Sequence, residues 1–236
     1  MINVLLITGA NNHDWRRSSS FCRELLEQTK RFCVTVTENP SETLADRDKL
    51  KQYGLFLIDY NGPRWGELAE GNFGLCVNNG TGVVFLHASN NAFKGWTAYE
   101  SMLGLAWETG VSGHGEFHEF EVDIVEQEHP VCKGLTRFLT FDELYHRMVP
   151  RHGVSYRTLA TAYSALEQKG TGSHEPVAIA LEYGKGRIFH LLLGHVWPHD
   201  FNGTHKGFGM YALENQGFQT LFVRGCEWSA TGEVTL

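Results

Sequence analysis

The chain has 236 residues, with 20 Lys+Arg against 27 Asp+Glu for a formal net charge of -7; it is 42% hydrophobic and 20% charged. Such values exclude a disordered chain, a coiled coil and a collagen-like repeat. A net negative chain without a Lys/Arg block also argues against nucleic acid or an anionic membrane as partner.

One domain over 1–236 is expected, large enough to bury a core without staples. The start, Met1-Ile2-Asn3-Val4-Leu5-Leu6-Ile7, has no basic n-region and too short an apolar run for a signal segment. Val4–Ile7, closed by Thr8-Gly9, predicts a strand buried on both faces. Arg16–Arg31 follows with apolar residues Phe21, Cys22, Leu25 and Leu26 at helical spacing and Ser18–Ser20 as caps. Cys33–Thr37 and Leu55–Ile58 read as strands, and Glu67–Val77 holds a helix in spite of Gly71 and Gly74. After the Asn79-Gly80 turn come a fourth buried strand, Val83–Leu86, and a short helix, Trp96–Leu103. This order predicts an α/β fold, a mostly parallel sheet with helices on both faces.

Strand candidates then run consecutively: Glu116–Val125, Asp142–Val149, Thr158–Ala162, Val177–Tyr183 and Ile188–Leu193. They predict an antiparallel extension of the sheet. A helix over Tyr211–Ser229 closes the chain, and His129-Pro130 starts a turn or short helix. Cys22, Cys33, Cys76, Cys132 and Cys226 are odd in number, widely spaced and without CxxC, so they read as reduced, mostly buried thiols of a cytoplasmic protein.

Ligands of an open parallel sheet bind outside the carboxyl ends of its strands. Four segments follow buried strands: Gly9–Trp15, Asp59–Trp65, His87–Asn91 and Gly194–Asp200. Three of them carry a histidine at or just after the strand end: His13, His87 and His195. The expectation is that these meet in one crevice. Asn12, Trp15, Asn61, Trp65 and Trp197 share these loops and suit contacts to a sugar, the tryptophans by stacking. His114-Gly115-Glu116-Phe117-His118 is a second cluster; in an extended chain 114, 116 and 118 point one way, which would suit a metal clamp. His195 and His199 are four apart, but Pro198 spoils a helical pairing. Asp142 and Glu143 add two acids, with Glu143 available as a base or as a partner orienting a histidine.

There is no GxxxxGK[ST] loop and no GxGxxG fingerprint, so no nucleotide is expected. No GxSxG elbow occurs, although Ser89 lies just past a strand end. A cysteine-dependent glutaminase needs a thiol at a strand-to-helix turn, and here that turn reads Leu86-His87-Ala88-Ser89.

Six blocks, in order, resemble the trehalose-utilisation (ThuA-like) family. They are Thr8–Trp15 (Thr-Gly-Ala-Asn-Asn-His-Asp-Trp), Gly82–Ala88, Asp142-Glu143-Leu144-Tyr145, Tyr183-Gly184-Lys185-Gly186-Arg187, Leu193-Gly194-His195 and Glu227–Gly232. The resemblance implies a flavodoxin-like, class I glutamine amidotransferase-like fold and a place in carbohydrate catabolism. The implied substrates are trehalose, related disaccharides or their keto derivatives.

A ring carbonyl acidifies the neighbouring C–H, so a base and a group holding the enolate oxygen are needed, and histidine serves either role. With a divalent metal, zinc first, the expected ligands are His87, His195 and one of His13, His114 or Glu143. Without one, His87 or Glu143 is the base and His13 or His195 polarises the oxygen. The expected enzyme is an isomerase, lyase or hydrolase, active as a homo-oligomer. The competing reading is a sugar-binding or regulatory module that kept the fold and lost the chemistry.

Overall fold

The continuous apolar runs become the middle of the sheet. In the computed structural model, residues 1–198 and 208–236 are described. The elements in chain order are β1 (Ile2–Ile7), α1 (Trp15–Gln28), β2 (Phe32–Thr37), α2 (Pro40–Thr43), α3 (Arg47–Leu50), β3 (Leu55–Ile58), α4 (Glu67–Asn78) and β4 (Gly82–Leu86). Next come a 3-10 turn (His87–Asn91), α5 (Thr97–Leu103), β5 (Leu105–Ala106), β6 (Gly113–Ile124), β7 (Phe138–His146), β8 (Val149–Pro150), β9 (Arg157–Ser164), β10 (Ser173–Tyr183), β11 (Gly186–Leu191), α6 (Tyr211–Glu214) and α7 (Gln216–Thr231).

A nine-stranded sheet runs β2-β1-β3-β4-β11-β10-β9-β6-β7. The first five strands are parallel, and β10, β9, β6 and β7 continue antiparallel. Every residue of β3 and β4 is buried, as apolar runs without alternation require. Side chains of β1 alternate between two cores. Val4 and Leu6 pack with Cys22 and Leu26 of α1 and Phe218, Leu221 and Phe222 of α7. Leu5 and Ile7 pack on the other face with Phe73 and Val77 of α4 and Tyr99 and Met102 of α5. Among the described residues no helix is long and apolar enough to cross a membrane.

Local chemistry moves several boundaries. Ser18 and Ser19 do not cap α1; they lie inside it and give their hydroxyls to the buried Asp59, at 2.6 and 2.8 Å, while Asp14 holds the N-cap position. A buried carboxylate needs donors more than a helix end open to water does. The helix expected over Tyr211–Ser229 is two helices, broken at Asn215, whose side chain accepts the N–H groups of Gly217 and Phe218 and so starts α7. The strand expected over Asp142–Val149 ends at His146, because Arg147 turns left-handed (φ 53°), and Val149–Pro150 pairs instead with Leu105–Ala106. A bulge between His114 and Phe117 breaks the alternation of β6, so residues 114, 116 and 118 do not form one clamp. His129 does sit in a turn, its ring against Trp228 at 4.7 Å. The thiols are all free, buried except at Cys33.

Helix α7 lies over β4 and β11, and two glycines allow the approach. A Cβ on Gly225 would sit 2.1 Å from Phe189 Cδ1, and one on Gly82 would sit 2.2 Å from the Ser229 carbonyl oxygen. Gly225→Ala is therefore expected to destabilise the protein by ~1–3 kcal/mol through overpacking. Urea unfolding checks this as a lower midpoint at unchanged slope.

Candidate functional site

The ends of β1, β3, β4 and β11 share one edge of the sheet, and their loops build a single cluster. Ring centroids of His13 and His87 are 4.9 Å apart, those of His13 and His195 4.6 Å, and those of His87 and His195 5.1 Å. One ring nitrogen from each can be chosen so that all lie within 4.8 Å of one another. All three residues are buried.

Each ring is held from behind. His87 is the first residue after β4 and adopts φ 41°, left-handed for a non-glycine residue, at a cost of ~1–3 kcal/mol. Its Nδ1 donates to the Leu192 carbonyl at 2.6 Å, which leaves Nε2 as acceptor for the Tyr145 hydroxyl at 2.9 Å. The Tyr145 ring stacks on it at 4.3 Å. His195 sits on a turn gripped by Asp142. That fully buried carboxylate accepts N–H from Gly194 (2.7 Å), His195 (3.2 Å) and Glu143 (2.8 Å). His195 Nδ1 lies 3.2 Å from Glu143 Oε2, and its Nε2 is buried without a hydrogen-bond partner among the described residues. His13 Nδ1 lies between the side-chain oxygens of Asn11 and Asn12, at 3.2 and 3.1 Å. Trp197 stacks on His13 at 5.0 Å and donates its indole N–H to Glu143 Oε1 at 3.2 Å.

Burial, followed by the charge of His114, pulls His13 down to about 4. Burial, then the neighbouring imidazoles, also hold His87 and His195 below the ordinary histidine value. Burial raises Glu143 above the usual carboxylate range against the opposing pull of His114 and Trp197. Asp142 rises to about 7, since burial outweighs its three N–H partners, and Asp59 to about 6 for the same reason. Burial thus favours the uncharged form of all three imidazoles, with the Glu143 side chain standing behind them. That donor set fits a divalent metal of the zinc type, and the unpartnered His195 Nε2 is what such a group would satisfy.

The cavity in front measures 110 Å³, with walls from Asn12, Asn91, Trp107, His114, Tyr145 and Trp197 beside His13 and His195. A larger cleft of 890 Å³ beside His129, Tyr156 and Trp228 contains none of the clustered histidines. Of the expected site residues, His13, His87, His195 and Glu143 come together, with Asn12 and Trp197 in the wall. His114 stands one step out from the ring cluster, its Nδ1 3.1 Å from Glu143 Oε2 and its side chain 39% exposed. Asn61 lies behind the cluster on Asn12 and the Ala88 carbonyl. Trp65 is core, packed on Phe73, Phe93 and Trp96, and Trp15 borders a separate cleft with Arg16 and Arg23. Ser89 is wholly buried and does not line the cavity. His199 and Asp200 fall outside the described residues. Tyr145, which stacks on His87, was not among the expected site residues; the signal available was that positions 143 and 145 of one strand share a face. Asn91 closes the His87–Asn91 segment but was not singled out there, and Trp107 carried no such signal.

A family model described as ThuA, trehalose utilisation, matches residues 3–229. A ThuA-like protein from Parabacteroides merdae is 34% identical with a TM-score of 0.86, over 100% of this chain and 92% of that one. A ThuA-like protein from Bacteroides uniformis is 17% identical with a TM-score of 0.71, over 100% of this chain and 93% of its own. A protein from Thermoplasma acidophilum described as part of a GMP synthase is 12% identical with a TM-score of 0.52, over 96% of this chain and 94% of its own. The last two show the fold alone, which is glutamine amidotransferase-like. No curated protein matches the chain.

The opposed shifts fix how stability depends on pH. Folding raises Asp142 and Asp59 above their unfolded values near ~4, so their contribution is present at low pH and is lost as pH rises through about 6 and 7. Folding lowers His13 and the fully buried His190 to about 4, and lowers His87 and His195 as well, so their contribution is present above ~6.5 and is lost as pH falls towards 4. Unfolding free energy of the metal-free protein is expected to peak between about pH 6 and 7. Urea titrations from about pH 4.5 to 8.5 measure it, and a steady rise across that range would contradict the assignment.

Proposed function

The chain belongs to the ThuA, trehalose-utilisation, family, and on that premise we propose that it is an enzyme of carbohydrate catabolism acting on a disaccharide or its keto derivative by proton transfer. The observation that supports this reading is the buried, uncharged imidazole cluster facing a cavity with two tryptophans in its wall. Trp197 and Trp107 offer faces for a sugar ring, and Asn12 and Asn91 offer amides for its hydroxyls.

The chemistry follows from which nitrogens are free. In the metal-free protein His195, with Nδ1 donating to His87 Nε2 at 3.3 Å beside Glu143 and Nε2 unpartnered among the described residues, takes the proton from the carbon beside the carbonyl. The electron pair of that C–H bond moves into the enolate. Glu143 stabilises the imidazolium that forms, and the Tyr145 hydroxyl is placed to donate towards the enolate oxygen when it leaves His87. Delivery of the proton to the former carbonyl carbon, with the hydroxyl hydrogen of the deprotonated carbon passing to the enolate oxygen, isomerises the sugar; expulsion of the glycosidic oxygen from the carbon on the other side of the deprotonated one, with the imidazolium proton going to that oxygen, is elimination. His13, His87 and His195 could alternatively give their lone pairs to a divalent metal, which when bound would supply a Lewis acid for the substrate oxygen; Glu143, not His195, would then be the base. A reducing cytoplasm suits the five free thiols, and a homo-oligomer remains part of the proposal.

The test is incubation with trehalose and with its keto derivative, with and without zinc or manganese, and identification of products by mass. The keto derivative is expected to be consumed. His87→Ala and His195→Ala should each lower turnover at least ~100-fold while the far-ultraviolet spectrum stays that of the folded protein. Binding of either sugar with no product under any metal condition would instead establish the non-catalytic sugar-binding module.

A further inference from the structure

Two polar residues at the end of β3, Asp59 and Asn61, touch neither the cavity nor a clustered histidine, yet both end in hydrogen bonds to the groups around His13. Asp59 is 4% exposed. Its Oδ2 accepts the hydroxyls of Ser18 and Ser19, and its Oδ1 accepts Asn11 Nδ2 at 3.1 Å. An ionised carboxylate can only accept, so Asn11 must turn its NH₂ to Asp59 and its oxygen the other way. That oxygen meets the backbone N–H of His13 at 3.0 Å and the ring Nδ1 at 3.2 Å. On the second path the backbone N–H of Asn12 donates to Asn61 Oδ1 at 3.1 Å. Asn61 must then present its NH₂ elsewhere, and it donates to the Ala88 carbonyl at 3.3 Å and to Asn12 Oδ1. Asn12 Oδ1 lies 3.1 Å from His13 Nδ1. Each path starts from a group that cannot reverse its role: a carboxylate, a backbone N–H, a backbone carbonyl.

We propose that Asp59 and Asn61 are positioning residues that fix the tautomer of His13, locking the Asn11 and Asn12 amides with both oxygens on Nδ1 so that Nδ1 carries the proton and Nε2 keeps the lone pair. Two acceptor oxygens against a bare ring nitrogen would repel it, whereas an N–H between them is satisfied twice. Asn61 therefore serves the site from behind and does not touch the sugar. The proposal rests on reading His13 as a working member of the cluster. Its test uses neither metal, substrate nor turnover, so the two readings fail separately.

The experiment is imidazole nitrogen NMR on the ¹⁵N-labelled, metal-free full chain at pH 7, with His13 assigned from the signal lost in His13→Gln. Wild type is expected to show the Nδ1–H tautomer. Asn11→Ala keeps it through Asn12, and Asn61→Asp keeps it through Asn11. In Asn61→Asp the Asn12 amide turns its NH₂ to the new carboxylate. The double variant Asn11→Ala/Asn61→Asp thus leaves Nδ1 facing only a donor, and the signal moves to the Nε2–H position. Nε2–H in wild type, or Nδ1–H retained in a folded double variant, overturns the proposal. Should that double variant not fold, Asn11→Ala/Asn12→Ala removes both oxygens and must give a mixture of tautomers; pure Nδ1–H there overturns it equally. A purely structural role for Asp59 and Asn61 would change the melting temperature and leave the tautomer where it was.

Discussion

Three imidazoles share one buried crevice only while no two of them are charged. A second positive charge within 5 Å, in surroundings of low dielectric, costs several kcal/mol even at an effective dielectric near ~20. Burial and mutual proximity push in the same direction, which is why His13, His87 and His195 are all shifted down. The rest of the site follows from that constraint. A neutral imidazole has one N–H and one lone pair, so each ring needs an acceptor behind Nδ1 if Nε2 is to do chemistry. The fold supplies three different ones: the Leu192 carbonyl for His87, His87 Nε2 for His195, with Glu143 Oε2 close by at 3.2 Å, and a pair of asparagine amides for His13.

These supports come from elements far apart in sequence. Asp142 and Glu143 stand on β7, in the antiparallel part of the sheet, and reach across to the loop after β11. The antiparallel extension is therefore part of the site: without it, His195 would lose its backbone anchor on Asp142 and the Glu143 carboxyl beside its ring. The price is two carboxylates kept from water. Asp142 is satisfied by three backbone N–H groups, yet its pKa still rises to about 7, so those bonds do not fully replace hydration. The left-handed backbone at His87 adds strain at the same place. Backbone strain and desolvated titratable groups thus gather on one cavity.

The sequence made the sheet and the histidine cluster legible because both follow from periodicity and topology. Three continuous apolar runs gave β1, β3 and β4, and the alternating Cys33–Thr37 gave β2; Ile188–Leu193, expected in the antiparallel extension, is instead β11, parallel to β4 and antiparallel only to β10. What stayed hidden depends on side-chain choices that periodicity cannot see. Asn215 breaks the final helix because its own side chain caps the second half. Ser18 and Ser19 look like caps until a buried carboxylate, 40 or so residues away, claims their hydroxyls. Trp65 and Trp197 look alike in sequence, each a tryptophan soon after a buried strand. Only packing separates them: one fills an aromatic core with Phe73 and Phe93, the other stacks on His13. His114 and His118 read as a pair until the bulge between His114 and Phe117 turns the chain.

Which atom stands at the turn after β4 limits what the proposed chemistry can be. A strand-to-helix turn with a left-handed residue projects that side chain over the sheet edge, whatever the side chain is. A thiol placed there has one reactive atom and can attack a carbonyl, forming a covalent intermediate. An imidazole placed there is tied at one nitrogen, here to Leu192, and offers a lone pair at the other. It can accept a proton, hold a hydroxyl hydrogen or bind a metal, and all three leave the substrate's carbon skeleton unattached to the protein. The two further imidazoles make sense only in that setting, since a single neutral ring is a weak base and a weak ligand, while three converging lone pairs form a site. The same backbone strain thus supports nucleophilic or proton-transfer chemistry according to which atom stands at the turn. In this chain that atom belongs to an imidazole, whose partners Tyr145 and His195 are themselves placed to exchange or direct protons.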